Sequence, residues 1–259
     1  MVLRLALLQQ SLVWQSPEAN RRAFGELIAR LAGSTDLIVL PEMFTTGFTM
    51  EPAEWAEAAD GPTVLWLREQ ADASNAAITG SVAVRENDRY VNRLYWVTPG
   101  GTTAQYDKRH LFRMGDEHSH YAGGIRTLLV EWRGFRIAPL VCYDLRFPVW
   151  SRRRPSFNYD LMVYVANWPA ARRYPWQQLL RARAIENQAF VAGCNRVGSD
   201  GQGVAHAGDS VALDFLGKPL AELADVPGII TATLDLSALR DFREQFPAHL
   251  DADRFTLEP

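Results

Sequence analysis

Cysteine is scarce: the 259 residues hold only Cys142 and Cys194, far apart in the chain. Two thiols do not make a disulfide framework, and the expected setting is a reducing compartment, the cytoplasm. Charge of one sign is lacking too, since 27 Lys and Arg stand against 30 Asp and Glu. That balance gives no electrostatic reason to expect nucleic acid or an anionic membrane as partner. No apolar run approaches the roughly 18 residues needed to cross a bilayer. The opening MVLRLALLQQSLVW is apolar but has neither a basic leading segment nor a small-residue cleavage site. Linkers, charge blocks, low-complexity tracts and repeats at a solenoid period are all missing, so a single domain over residues 1–259 is expected.

Apolar material is plentiful: 47% of the residues are hydrophobic and eight are Trp, enough for a sizeable core. LRLALLQQ (3–10) reads as a buried strand. In SPEANRRAFGELIARLAG, Ser16 is the expected N-cap, Pro17 the first helical residue and Gly33 the stop, with Phe24, Leu27, Ile28 and Leu31 on one face. DLIVLPE (36–42) then reads as a second buried strand, giving a β-α-β opening.

Hairpins follow. AAITGSVAV, RYVNRLYWVTP and TTAQYD read as successive strands joined at Asn87-Asp88 and Gly100-Gly101. IRTLLVEW and FRIAPLVC flank a tight turn at Arg133-Gly134. Later segments alternate: strand YDLMVYVAN, helix PWQQLLRARAIENQ, strand AFVAGCNRV, hairpin SVALDFLGKPLAEL, strand GIITATLDL and a helix ending near Phe246. Hairpins mixed with a few helices point to an α/β fold of two facing sheets with helices outside, an α-β-β-α sandwich. A doubly wound nucleotide-binding sheet is disfavoured, because no strand is followed by a G-x-G-x-x-G or G-x-x-x-x-G-K-[ST] loop.

Three polar residues stand where apolar runs end. Glu42 closes LIVLPE, Lys108 lies in YDKRHLF, and Cys142 follows APLV and precedes YDLRFP. Each alone has an ordinary reading, as a solvated acid, a loop lysine or a core thiol. Together they supply what a thiol nucleophile needs: a base for its proton and a cation for the charge that develops. Cys194, in FVAGCN, fits the core reading and receives no role.

These three segments resemble the signature regions of the nitrilase, or carbon–nitrogen hydrolase, superfamily, in the right order. The likeness continues through VYVANWP, RARAIENQAFVAGCNRVG and HAGDS, and within the superfamily the chain is most similar to the omega-amidase branch. That resemblance implies a four-layer α-β-β-α sandwich. It also implies hydrolysis of the terminal amide of 2-oxo dicarboxylic acid monoamides, such as 2-oxoglutaramate and 2-oxosuccinamate, through a cysteine thioester.

By the same resemblance Cys142 is the nucleophile, Glu42 the general base, and Lys108 with the backbone N–H of Tyr143 the receivers of the oxyanion. Glu117 is expected to orient the substrate amide, its ordinary reading being a surface loop acid. For a substrate carboxylate, Arg146 is the expected contact, with an internal ion pair to Asp144 as the alternative. Trp168 is read as a pocket wall, and Arg172 or Arg173 as a second cation. His118 and His120 lack a completing ligand set, so no metal and no other cofactor is expected. The implied partner is a small-molecule amide, and a homodimer or higher oligomer is expected, with RARAIENQ as a candidate contact. Two alternatives stay open: another branch, such as an N-carbamoyl amino acid hydrolase or deaminated glutathione amidase, and a catalytically silent binding module of the same fold.

Overall fold

The computed structural model describes residues 1–257. Strands β1 (Val2–Gln9), β2 (Leu37–Val39), β3 (Glu57–Ala58), β4 (Ala77–Glu86), β5 (Arg89–Val97) and β6 (Thr103–Asp107) come first. After them come β7 (Val130–Trp132), β8 (Phe135–Val141), β9 (Leu161–Ala166), β10 (Phe190–Asn195), β11 (Val197–Ser199), β12 (Ala205–Leu213), β13 (Pro219–Ala224) and β14 (Gly228–Asp235). One seven-stranded sheet runs β14-β1-β2-β4-β5-β6 with β3 beside β4; the other runs β11-β12-β10-β9-β8-β7 with β13 beside β12. Parallel pairing holds the centre of each, β1-β2-β4 and β8-β9-β10, while hairpins extend the edges.

The central strands are apolar on both faces because both are covered. In β1, Leu3, Leu5 and Leu7 enter the core between the sheets, whereas Ala6 and Leu8 pack against helices. The same alternation places Leu37 and Val39 inside and Ile38 outside. Helices Pro17–Ala29 and Pro62–Ser74 cover the first sheet through Phe24, Ile28, Val64, Leu67 and Ala71. Helix Arg173–Asn187 covers the second through Trp176, Leu180 and Ala184. Its approach is close enough that a Cβ on Gly193 of β10 would lie 2.6 Å from Leu180 Cδ1. The four-layer α-β-β-α sandwich is therefore the architecture.

Local differences from the sequence expectations have physical causes. Ser16 precedes the first helix, but its side chain makes no cap bond. The apolar segment LIVLPE pairs only over Leu37–Val39, and IRTLLVEW only over Val130–Trp132. The turn at Arg133-Gly134 is as expected, with φ of 49° and 83°, the left-handed pair that a two-residue hairpin takes. Helix Pro62–Ser74 has no counterpart in the sequence reading. Its buried face includes Thr63, Ala71 and Ser74 beside Val64 and Leu67, so the helical stripe is diluted by small and polar residues.

Candidate active site

Cys142 is the first residue beyond β8, not its last. It opens a short 3-10 turn, Cys142–Arg146, with φ of 45°, a left-handed conformation that costs a non-glycine residue energy. Asp144 holds that turn. Its carboxylate accepts from the Val141 N–H at 3.1 Å, the His110 N–H at 3.0 Å and the Tyr106 hydroxyl at 2.7 Å. The His110 ring lies 2.8 Å from the same carboxylate and stacks on Phe147 at 3.8 Å. Asp144 therefore ties the cysteine turn to the loop after β6 that carries Lys108. The alternative pairing of Asp144 with Arg146 does not form; Arg146 lies over the Trp168 ring at 5.3 Å.

Glu42 lies three residues beyond β2, between Pro41 and Met43, whose φ is 40°. Its Oε1 accepts from Lys108 Nζ at 2.8 Å and from Asn92 Nδ2 at 2.8 Å. Its Oε2 accepts from the Asn167 backbone N–H at 2.8 Å, and the Asn167 side chain donates to the Glu42 carbonyl. Lys108 Nζ also reaches Glu117 at 2.8 and 3.0 Å, and Glu117 accepts the Phe112 N–H at 2.6 Å and Asn92 Nδ2 at 3.2 Å. One ammonium thus sits between two carboxylates, all three side chains sealed from water.

Burial opposes the charge on Lys108, but the charges of Glu117 and Glu42 outweigh it and push the amine above the ordinary lysine range. Burial pushes the Glu117 carboxyl up; Lys108 opposes that shift and Glu42 adds to it. Cys142 is pushed well above the ordinary thiol range, first by burial and then by the charge of Glu42, with Lys108 opposing. Burial and the neighbouring carboxylate thus both favour the thiol form of Cys142.

A cavity of about 270 Å3 opens above this cluster, with Glu42, Lys108 and Cys142 in its wall together with Tyr143, Arg146 and Trp168. The structure brings these sequence-selected residues to one place, with one exception. Glu117 does not line the cavity; it lies behind Lys108 with both oxygens occupied. Arg172 lines the cavity over the Phe112 ring at 5.2 Å. Arg173 turns away to Asp209 at 2.7 Å and Asp225 at 3.3 Å. His118 and His120 are surface residues beside Asp116. Cys194 is fully buried inside β10.

Two site residues escaped the sequence reading, Asn92 and Asn167. The signal for Asn92 was a lone amide on the face of β5 that carries Leu94 and Trp96 into the core between the sheets. Asn167 stands just past β9 in VYVANWP, the same rim position as Glu42 and Cys142.

The chain matches the carbon-nitrogen hydrolase family over residues 4–244. It is 55% identical over 256 residues to omega-amidase YafV of Escherichia coli (strain K12), covering 98% of each chain. It is 35% identical over 250 residues to the 2-oxoglutaramate amidase of Bacillus subtilis (strain 168), covering 95% of this chain and 96% of that one. Among solved structures, XC1258 from Xanthomonas campestris is a CN-hydrolase superfamily protein with an arsenic adduct in its active site. It superposes with a TM-score of 0.98 at 51% identity, over 100% of both chains. A mutant amidase from Nesterenkonia sp. AN1, showing Michael addition of acrylamide at its active-site cysteine, superposes with a TM-score of 0.84 at 25% identity, over 96% of this chain and 99% of that one. The chain belongs to the carbon-nitrogen hydrolase family and is an amidohydrolase.

Proposed function

We propose that this amidohydrolase cleaves the terminal amide of small 2-oxo dicarboxylic acid monoamides, 2-oxoglutaramate and 2-oxosuccinamate among them, releasing ammonia. One observation carries the reading. The cavity that holds Cys142 against Glu42 and Lys108 also holds Arg146 and Arg172, neither ion-paired among the described residues, each laid over an aromatic ring. A guanidinium without an anion beside a reactive thiol suits a substrate with an amide at one end and a carboxylate at the other. The omega-amidase and 2-oxoglutaramate amidase relatives support the same substrate class.

In this reading Glu42 takes the proton of Cys142 as sulfur attacks the amide carbon. The receiving oxygen is Oε2, because Oε1 already accepts from Lys108 and Asn92. The carbonyl oxygen becomes an oxyanion, met by Lys108 and the Tyr143 N–H; one such donor is worth about 3–4 kcal/mol of barrier. The intermediate collapses, nitrogen takes the proton back from Glu42 and ammonia leaves a thioester on Cys142. Glu42 then removes a proton from water, the hydroxide attacks the thioester, and the acid departs as the thiol is restored. Glu117 acts through Lys108, keeping the ammonium charged and aimed. Trp168 backs the Arg146 guanidinium by a cation–π contact.

We read the chain as a single cytoplasmic domain; no helix among the described residues is long and apolar enough to cross a membrane. The outer face of helix Arg173–Asn187, with Tyr174 and Ile185 exposed, is read as the meeting face of a homodimer. The test of function is ammonia release from 2-oxoglutaramate beside a neutral primary amide of equal length. The carboxylate-bearing amide is expected to be preferred, and Arg146→Ala to raise its KM about tenfold with the neutral amide unaffected, the size of one lost charged contact. Equal losses on both substrates would contradict the carboxylate role.

A further inference from the structure

Asn167 is tied to Glu42 twice, by its backbone N–H to Oε2 at 2.8 Å and by its side-chain Nδ2 to the Glu42 carbonyl. Glu42 follows a strand of the first sheet, and Asn167 follows β9, the neighbour of β8 and its cysteine. The double contact therefore spans the sheets where proposed base and nucleophile meet. It also fixes which way the amide side chain faces. A backbone carbonyl can only accept, so nitrogen must face Glu42 and oxygen must face away.

That oxygen, Asn167 Oδ1, is buried and has no hydrogen-bond partner among the described residues, while Asn167 itself is 5% exposed and lines the cavity. Buried acceptors are nearly always paired, so an unpaired one on a residue of the cavity wall that also carries Cys142 calls for a donor from a ligand. The family of donors is narrow. A primary amide seated on Cys142 carries two N–H bonds on its leaving nitrogen. Glu117 is saturated behind Lys108, Glu42 Oε1 has two donors, and the other unpaired amide oxygen, Asn92 Oδ1, belongs to a residue that does not line the cavity.

We propose that Asn167 Oδ1 accepts an N–H of the scissile amide, making Asn167 the residue that distinguishes a primary amide from an ester. The contact pins the leaving nitrogen so that its lone pair, freed in the tetrahedral intermediate, faces the proton held on Glu42 Oε2. The inference rests on the reading of Cys142 as nucleophile and Glu42 as base.

The test uses two electrophiles that alkylate thiols, acrylamide with an NH2 group and methyl acrylate with none. Their rates at Cys142 are measured by mass spectrometry and divided by their rates with glutathione. The intact enzyme is expected to favour acrylamide at least tenfold beyond the glutathione ratio, and Asn167→Ala to erase that preference while Cys194 stays protected. No preference in the intact enzyme, or the same preference within twofold in Asn167→Ala, overturns the role of Asn167. Failure of both reagents to reach Cys142 overturns the nucleophile reading instead.

Discussion

Cys194 lies in β10 and Cys142 just past β8 of the same sheet, with only β9 between those strands, and both are buried thiols. Burial pushes both up from the ordinary thiol range. The direction of that shift does not separate them. Position does. Cys194 lies within β10, and its thiol donates to the carbonyls of Val39 at 3.4 Å and Leu8 at 3.7 Å, filling the space between the sheets. Cys142 lies one residue past its strand, in a left-handed turn braced by Asp144, with a carboxylate and an ammonium in the same cavity wall. A reactive thiol is made by what surrounds it and by access.

That contrast can be broken most strongly at the carboxylate. Glu42→Gln keeps the shape but removes the proton acceptor, and turnover is expected to fall about 10²–10⁴-fold, the usual worth of a general base. A steady-state assay reads it; a loss below tenfold would place the base elsewhere.

Labelling sharpens the contrast further. A small soft electrophile is expected to modify Cys142 at least tenfold faster than Cys194 in the folded enzyme, because only Cys142 borders the cavity. In denaturant the two rates should converge. Peptide mapping after timed quenching distinguishes them, and equal rates in the folded state would remove the basis for calling Cys142 activated.

The smallest effect concerns stability around the same cavity. Burial, aided by the charge of Arg196, pushes the His206 imidazole down from 6.5 to about 4. As pH falls through 6.5 the unfolded chain takes up a proton that the folded one refuses, so stability drops progressively until about pH 4. His206→Asn is expected to flatten that part of the stability–pH curve, measured by denaturant unfolding between pH 7 and about 4. An unchanged slope would mean the imidazole titrates freely in the fold.

The sandwich was legible because its strands advertise themselves. Runs such as LRLALLQQ and YDLMVYVAN are apolar on both faces, which only doubly covered strands require, and hairpin turns separate the rest. Helix Pro62–Ser74 was not, since polar and small residues interrupt its inner face. In the site, Glu42, Lys108 and Cys142 were found by their place at strand ends and by the motifs around them. Asn92, Asn167 and the tie of Asp144 to Tyr106 and His110 were not, because each acts through a partner 25 or more residues away that no local pattern reveals. Glu117 was found, but its burial behind Lys108 was not, because that depends on how the loop after β6 folds back, with the Phe112 N–H donating to it. Arg173 was likewise drawn off by Asp209, which lies 36 positions away in sequence.

The most direct measurement of the central claim is ammonia release from 2-oxoglutaramate by Cys142→Ala beside the unaltered enzyme. With the thiol that borders the cavity gone, turnover is predicted to fall to background while the fold persists. Turnover within tenfold of the unaltered enzyme would contradict the whole account.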